Sequence, residues 1–131
     1  MGDELLRDKD RAIHKFWSSF GLKAYEANSV PDDAITKNGG KYLTYELSTS
    51  AFMDTLVLSA SLWYKSSGWT EIVAKSQEIS TAIGIGGTFR RVKGGYLWIR
   101  RATPFAQRMS DEDDTVRRIY ILVEVEFLTK D

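Results

Sequence analysis

Between Thr55 and Gly84 the apolar residues change period once, and that change fixes the class of fold the chain can adopt. From Thr55 to Tyr64, Leu56, Leu58, Ala60, Leu62 and Tyr64 alternate with Thr55, Ser59 and Ser61, the two-residue period of a half-buried strand. Ser66, Ser67 and Gly68 interrupt it. Beyond them Ile72, Val73, Ile79, Ala82 and Ile83 recur at the spacing that lines one side of a helix, and Gly84 is its natural stop. Ser67 is placed to cap that helix through its hydroxyl, and Glu71 suits the positive end of the dipole.

Strands flank this unit on both sides. Asp3 to Phe20 reads as a helix with Leu6, Ile13, Phe16, Trp17 and Phe20 on one side and Arg7, Asp8, Asp10, Arg11 and Lys15 marking the other; its charged first turns are expected to fray. Gly21 ends it, and Leu22 to Glu26 follows as a short strand. Tyr42 to Ser48 alternates Leu43, Tyr45 and Leu47 with polar neighbours and should run antiparallel to Thr55–Tyr64, because the link between them is too short for a crossover helix. Thr88 to Lys93 and Tyr96 to Arg101 form a hairpin about Gly94-Gly95. With those glycines as the loop, Lys93 faces Tyr96, Arg91 faces Trp98 and Val92 faces Leu97. Val92, Leu97 and Ile99 then point to the core, and Phe89, Arg91, Tyr96 and Trp98 point outward, with Arg91 near the Trp98 ring. Arg117 to Leu128 closes the chain as a strand, Ile119, Ile121, Val123, Val125 and Phe127 on one face and Tyr120, Leu122, Glu124, Glu126 and Leu128 on the other.

Two long connections remain. Asn28 to Lys41 carries Pro31, Asp32, Asp33, Gly39 and Gly40, a composition that favours turns, and Ala102 to Arg118 carries Pro104 and the acidic run Asp111, Glu112, Asp113 and Asp114. Their low apolar content predicts that both are mobile in the free protein and become ordered on assembly. The order helix, three strands, helix, three strands is that of a single α+β domain over residues 1–131: a largely antiparallel sheet with both helices packed on one face.

The chain of 131 residues is long enough for one core, and 43% hydrophobic residues with four tryptophans place it well outside disorder. No segment approaches the roughly 18 uninterrupted apolar residues of a membrane span, and no signal-peptide pattern is visible, so a soluble protein made in the cytosol is expected. The absence of cysteine excludes disulfides, thiolate metal sites and cysteine nucleophiles. Eighteen basic against eighteen acidic residues give no overall field, so electrostatic function is local.

No catalytic constellation, cofactor site or metal site emerges. His14 has no partner that the sequence can place, Ser59 and Ser61 lie on a strand outside any nucleophile elbow, and Gly84, Gly86 and Gly87 follow a helix where a phosphate loop precedes one. The acidic run lacks the spacing of a calcium loop. Arg90, Arg91, Lys93, Arg100 and Arg101, interleaved with Phe89, Tyr96 and Trp98, suit either a protein interface or single-stranded nucleic acid.

Lys41-Tyr-Leu-Thr-Tyr-Glu46, Ser61-Leu-Trp-Tyr64 with Trp69-Thr-Glu-Ile72, Gly94-Gly-Tyr-Leu-Trp-Ile99, Pro104-Phe-Ala-Gln-Arg108 and Arg118-Ile-Tyr-Ile121, in this order, resemble the small tail-completion proteins of tailed bacteriophages and prophages, of which the tail terminator is the nearest type. The similarity runs from about Ile13 to Leu128. It implies an α+β structural protein of the virion, assembled in the host cytoplasm, that forms a ring, typically six-fold, on the last ring of the tail tube and meets the head-tail connector, with genomic DNA passing through the lumen. No cofactor, catalytic step or membrane comes with it. Another neck or head-tail joining protein and a tube-like protein are the neighbouring readings, and a single-stranded nucleic-acid-binding module is the unrelated one.

On this basis Phe89, Arg91, Tyr96, Trp98 and Arg100 are expected at a subunit or tube interface. Glu124 and Glu126, two apart on one strand, are expected to face an aqueous lumen or a polar interface; the alternative is that they guard an edge strand against foreign pairing.

Overall fold

The computed structural model describes residues 2–47 and 55–129; Ser48 and the side chain of Leu6 lie outside the described residues. In chain order the elements are α1 (Gly2–Ser18), β1 (Ala24–Glu26), a 3-10 turn (Ala27–Ser29), α2 (Ala34–Lys37), β2 (Lys41–Tyr45), β3 (Leu56–Lys65), α3 (Thr70–Ile83), β4 (Thr88–Val92), β5 (Gly95–Met109) and β6 (Val116–Thr129). The strands make one six-stranded sheet in the order β1-β2-β3-β6-β5-β4, antiparallel throughout except for the parallel β1–β2 pair.

The period-two pattern explains how the layers meet. Leu58, Ala60, Leu62 and Tyr64 of β3, Leu43 and Tyr45 of β2, Leu97 and Ile99 of β5, and Ile119, Ile121, Val123 and Val125 of β6 share one buried core with Ile13, Phe16, Trp17 and Phe20 of α1 and Ile72, Ile79 and Ile83 of α3. Each side-chain row removes its apolar area from water only because a helix covers it, at roughly 25 cal/mol per Å². The two helices are tied by Lys75 of α3, whose ammonium donates to the Phe20 carbonyl at 2.9 Å, beyond the C-terminus of α1. This is the end of the helix dipole that favours a cation. The apolar stripe of α1 also contains Lys9, one turn before Ile13 and only 2% exposed; burial lowers its pKa while neighbouring Asp10 raises it.

Four expectations change. Ser67 does not cap α3: the cap position is Trp69, with no side-chain hydrogen bond, and Ser67 instead offers its carbonyl to Arg117 at 2.9 Å. The hairpin loop is Lys93-Gly94 rather than Gly94-Gly95, since Val92 pairs with Gly95, Arg91 with Tyr96 and Phe89 with Trp98. Gly94 alone takes the positive φ the turn needs, 86°, which frees Gly95 to enter β5. The slip is two residues, so every side chain keeps its expected face. Ala102 to Met109 is not loop but the second half of β5: register breaks between Arg101 and Ala106, where four residues oppose Leu122 alone, and Pro104 sits in that bulge without interrupting a ladder. The connection to β6 shrinks to residues 110–115. Finally, β6 lies between β3 and β5, so Glu124 and Glu126 do not guard an edge.

The stretch Asn28–Lys41 contains two short helical pieces in place of turns alone. Asn38 donates to the Tyr25 hydroxyl and to the Ala34 carbonyl, each at 2.8 Å, and Gly40 takes part in the fold through Lys65, whose N–H reaches the Gly40 carbonyl at 2.7 Å.

Candidate functional site: the uncovered face of the sheet

With α1 and α3 on one face, the opposite face of the sheet carries every alternate residue of six strands. Strand pairing lines these up into two aromatic and arginine patches. At the β4 edge Phe89 stacks on Trp98, with ring centroids 5.9 Å apart and planes at 10°, and the Arg100 guanidinium lies over the Trp98 ring at 4.0 Å. The cation on Trp98 is thus Arg100 from the same strand and not Arg91, because the register pairs Arg91 with Tyr96. Arg100 also approaches Glu124 at 3.8 Å and Glu126 at 3.3 Å, and Glu126 accepts from Thr55 at 3.2 Å. The residues expected at an interface and the two carboxylates expected at a lumen therefore form one cluster, joined by Arg100. One guanidinium between two carboxylates leaves a single net negative charge.

The second patch crosses β1, β2, β3 and β6. Tyr25 meets Tyr42 edge-on, Tyr42 stacks on Trp63 at 6.0 Å, and Arg118 lies 4.6 Å from the Trp63 ring and 5.9 Å from that of Tyr120. Arg118 is oriented by its Nε donating to Ser61 at 3.1 Å, and Trp63 by its indole N–H donating to Thr44 at 3.0 Å. These large groups stand over Ser59 and Ser61, which are buried although they belong to the polar row. Between them lies a cavity of about 320 Å³ walled by Tyr42, Trp63, Arg118 and Tyr120, closed on one side by Ala27 and Val30 and with Glu46 in its lining. Sequence reading did not single out Tyr42, Trp63 or Arg118; the signal was present in the aromatic residues at outward positions of neighbouring strands, but only the register brings them together.

The basic cluster of β4 and β5 does not share one face. Arg90 turns to the helix side, over the Phe16 ring at 5.3 Å and donating to Thr88, and Arg101 reaches Ser80 of α3 at 2.8 Å. Arg100 is neutralised, which leaves Arg91 exposed with no ion pair among the described residues. A face that alternates Arg91, Arg100 and Arg118 with Glu46, Glu124 and Glu126 offers a polyanion little net attraction.

His14 has partners that the sequence could not place: its Nδ1 lies 2.7 Å from the Tyr45 hydroxyl and its Nε2 3.4 Å from Ser18, one turn later on α1. Asp10, whose pKa is raised by burial, lines a second cavity together with His14, Tyr45 and Arg91 but makes no hydrogen bond to the imidazole. Among the described residues no three His, Asp or Glu side chains are grouped to hold a metal ion, and no helix is long and apolar enough to cross a membrane. In the acidic turn, Asp113 accepts from the Thr115 N–H and hydroxyl, which lowers its pKa. Pro31, Asp32, Asp33 and Gly39 flank α2, and Asp111, Glu112 and Asp114 are exposed beside Asp113.

No protein-family model and no curated protein sequence matches this chain. Among solved structures it is similar to a chain described as "Virion of native gene transfer agent (GTA) particle", with a TM-score of 0.53 and 18% identity over 94% of this chain and 91% of that one. What is shared is the fold. A second solved chain, 14% identical, matches over 99% of both chains with a TM-score of 0.55, so the likeness takes in all six strands and the helices that cover them rather than a sub-motif.

Proposed function

We propose that this chain is a non-enzymatic structural protein of a phage-type virion, a tail terminator that closes as a six-fold ring on the end of the tail tube and presents a surface to the head-tail connector. The observation that carries this reading is the end-to-end likeness to a chain of a gene transfer agent virion particle, 94% of this chain on 91% of that one. Exposed apolar groups support it: Val57 and Phe89 on the uncovered sheet face are 60% and 52% exposed, and Ile85 in the turn before β4 98%, groups that a free monomer leaves in water and a subunit contact would bury. The near-balanced charge of that face favours a protein partner over single-stranded nucleic acid. In a ring the Arg100, Glu124 and Glu126 cluster would supply the polar surface past which DNA moves. The neighbouring readings, another neck or head-tail joining protein or a tube-like protein, share the small α+β architecture and would differ in where along the tail they assemble.

Light scattering and negative-stain imaging of the concentrated protein, alone and with purified tail tubes, test the proposal. Closed rings, or a cap on one end of the tube, are expected. A strict monomer that also ignores tubes would overturn the reading; decoration along the whole tube would favour the tube-like alternative.

A further inference from the structure

We infer that neighbouring copies of this chain meet through two unlike surfaces, the Ile85 turn beside β4 of one copy seated in the aromatic cavity over β2, β3 and β6 of the next. This rests on the ring reading and names the two surfaces through which the ring would close.

Ile85 is the most exposed large apolar residue described, at 98%, yet its turn is held on both sides. The Gly84 N–H bonds to the Ser80 carbonyl at 3.0 Å, and the Trp98 indole donates to the Gly86 carbonyl at 2.8 Å. Gly87 is packed so closely that a Cβ there would stand 2.6 Å from Trp98 Nε1. With the backbone of the turn already held, a contact through Ile85 costs side-chain rotamer entropy but little further backbone entropy. Phe89 and Tyr96, both exposed, continue the apolar surface along β4 and β5.

The cavity of about 320 Å³ has the complementary form: aromatic walls from Tyr42, Trp63 and Tyr120, with Ala27 and Val30 at one side. Charge is complementary as well. Arg91, on the Ile85 edge, and Glu46, on the cavity side, are each exposed and without an ion pair among the described residues. The Ile85 turn leads into β4, an outer strand of the sheet, whereas the cavity lies over the inner strands β2, β3 and β6, so knob and cavity are distinct patches of one subunit. A contact between unlike patches is heterologous: it repeats head to tail and closes when the rotation permits, whereas a two-fold contact would set Ile85 against Ile85.

The chain has no cysteine, so introduced thiols report without background. Assembled protein mixed from Ile85→Cys and Ala27→Cys subunits is expected to form a disulfide dimer on oxidation, and neither variant alone should do so. Arg91→Glu and Glu46→Arg should each lose assembly, and the double variant Arg91→Glu with Glu46→Arg should regain it. All four positions are exposed, so circular dichroism and melting of each monomer should match the parent. Rings that form without the mixed disulfide, or that survive either charge reversal, overturn the contact and leave the ring reading standing. Cross-linking of Ile85→Cys with itself replaces it by a two-fold contact. If Ile85→Asp keeps its rings but no longer binds tubes, the turn meets the tube and the proposal is wrong. A parent protein that never assembles, with or without tubes, removes the ring reading and the contact with it.

Discussion

Trp98 connects more of this surface than any other side chain. One face of the indole stacks on Phe89, the Arg100 guanidinium covers the ring, and the N–H holds the Gly86 carbonyl. Trp98→Phe keeps an aromatic ring for stacking but loses the donor and part of the ring surface, so a loss of about 1–2 kcal/mol in chemical denaturation is expected, with the fastest gain in amide exchange at residues 84–87. Gly87→Ala should cost more, about 2–4 kcal/mol, because it adds a Cβ that would lie 2.6 Å from the indole and 2.7 Å from the Ile99 carbonyl at a φ of 88°. Gly21→Ala is the control: its φ is 80° but nothing lies within 4 Å, so only the left-handed backbone is disfavoured, at roughly 1–2 kcal/mol. Equal losses at the two glycines would show that the Gly87 contact contributes nothing.

Tyr64 sets a pH dependence at the same scale. Burial, then Glu71 and Glu78, push its pKa up to about 12. The unfolded chain, with an ordinary phenol near 10, releases the proton first. Folding stability from this group is therefore complete below about pH 10 and falls as pH rises towards about 12, by on the order of 2–3 kcal/mol. Burial raises Tyr42 and Tyr45 in the same direction. Tyr64→Phe should flatten the alkaline limb of a stability-against-pH curve without abolishing it; an unchanged curve would show that Tyr64 ionises as freely in the fold as outside it.

At the scale of elements, the strands and helices were legible where periodicity is local. Leu56 to Tyr64 and Ile119 to Val125 show their buried faces in the sequence, and the helix from Thr70 to Ile83 shows its stop at Gly84. What was hidden depends on residues far apart in the chain. Pro104 reads as a loop signal because proline cannot donate to a ladder, but the bulge opposite Leu122 asks for no donor there. Gly94-Gly95 suits two turn registers, and pairing with Val92 of β4 and Thr129 of β6 places Gly95 inside β5. Lys9 falls on the apolar stripe by spacing, and nothing in the type of residue announces its burial. The aromatic row Tyr42, Trp63 and Tyr120 needs three strands in register to exist at all. Hydrogen exchange on the free protein should separate these elements: strong protection through both halves of β5 and weak protection at residues 110–115, where the N–H groups of Asp113 and Thr115 donate only to aspartates of the same turn. Protection of the acidic turn equal to that of β5 would remove the expectation that it becomes ordered only on assembly.

At the scale of the whole molecule, the Arg100, Glu124 and Glu126 cluster decides the sign of charge at the centre of the uncovered face. Replacing both glutamates with glutamine changes its net charge from one negative to one positive per subunit. If the cluster faces a lumen, the double variant Glu124→Gln with Glu126→Gln should fold and close rings as before, with a loss of no more than about 1 kcal/mol, and should retain DNA in a manner that salt abolishes. A double variant that folds and does not assemble would place the pair in a subunit contact.

The sheet order also governs when the protein can exist. β6 is the last strand in the chain yet occupies the middle of the sheet, between β3 and β5. During synthesis, α1 to α3 and the β4–β5 hairpin leave the ribosome with no strand pairing between them, and β3 and β5 each show an unpaired edge until residues 116–129 emerge. Insertion of one segment then completes two ladders together. A nascent chain stalled before Val116 should therefore be sensitive to proteases and bound by chaperones, and one extended past Thr129 should not.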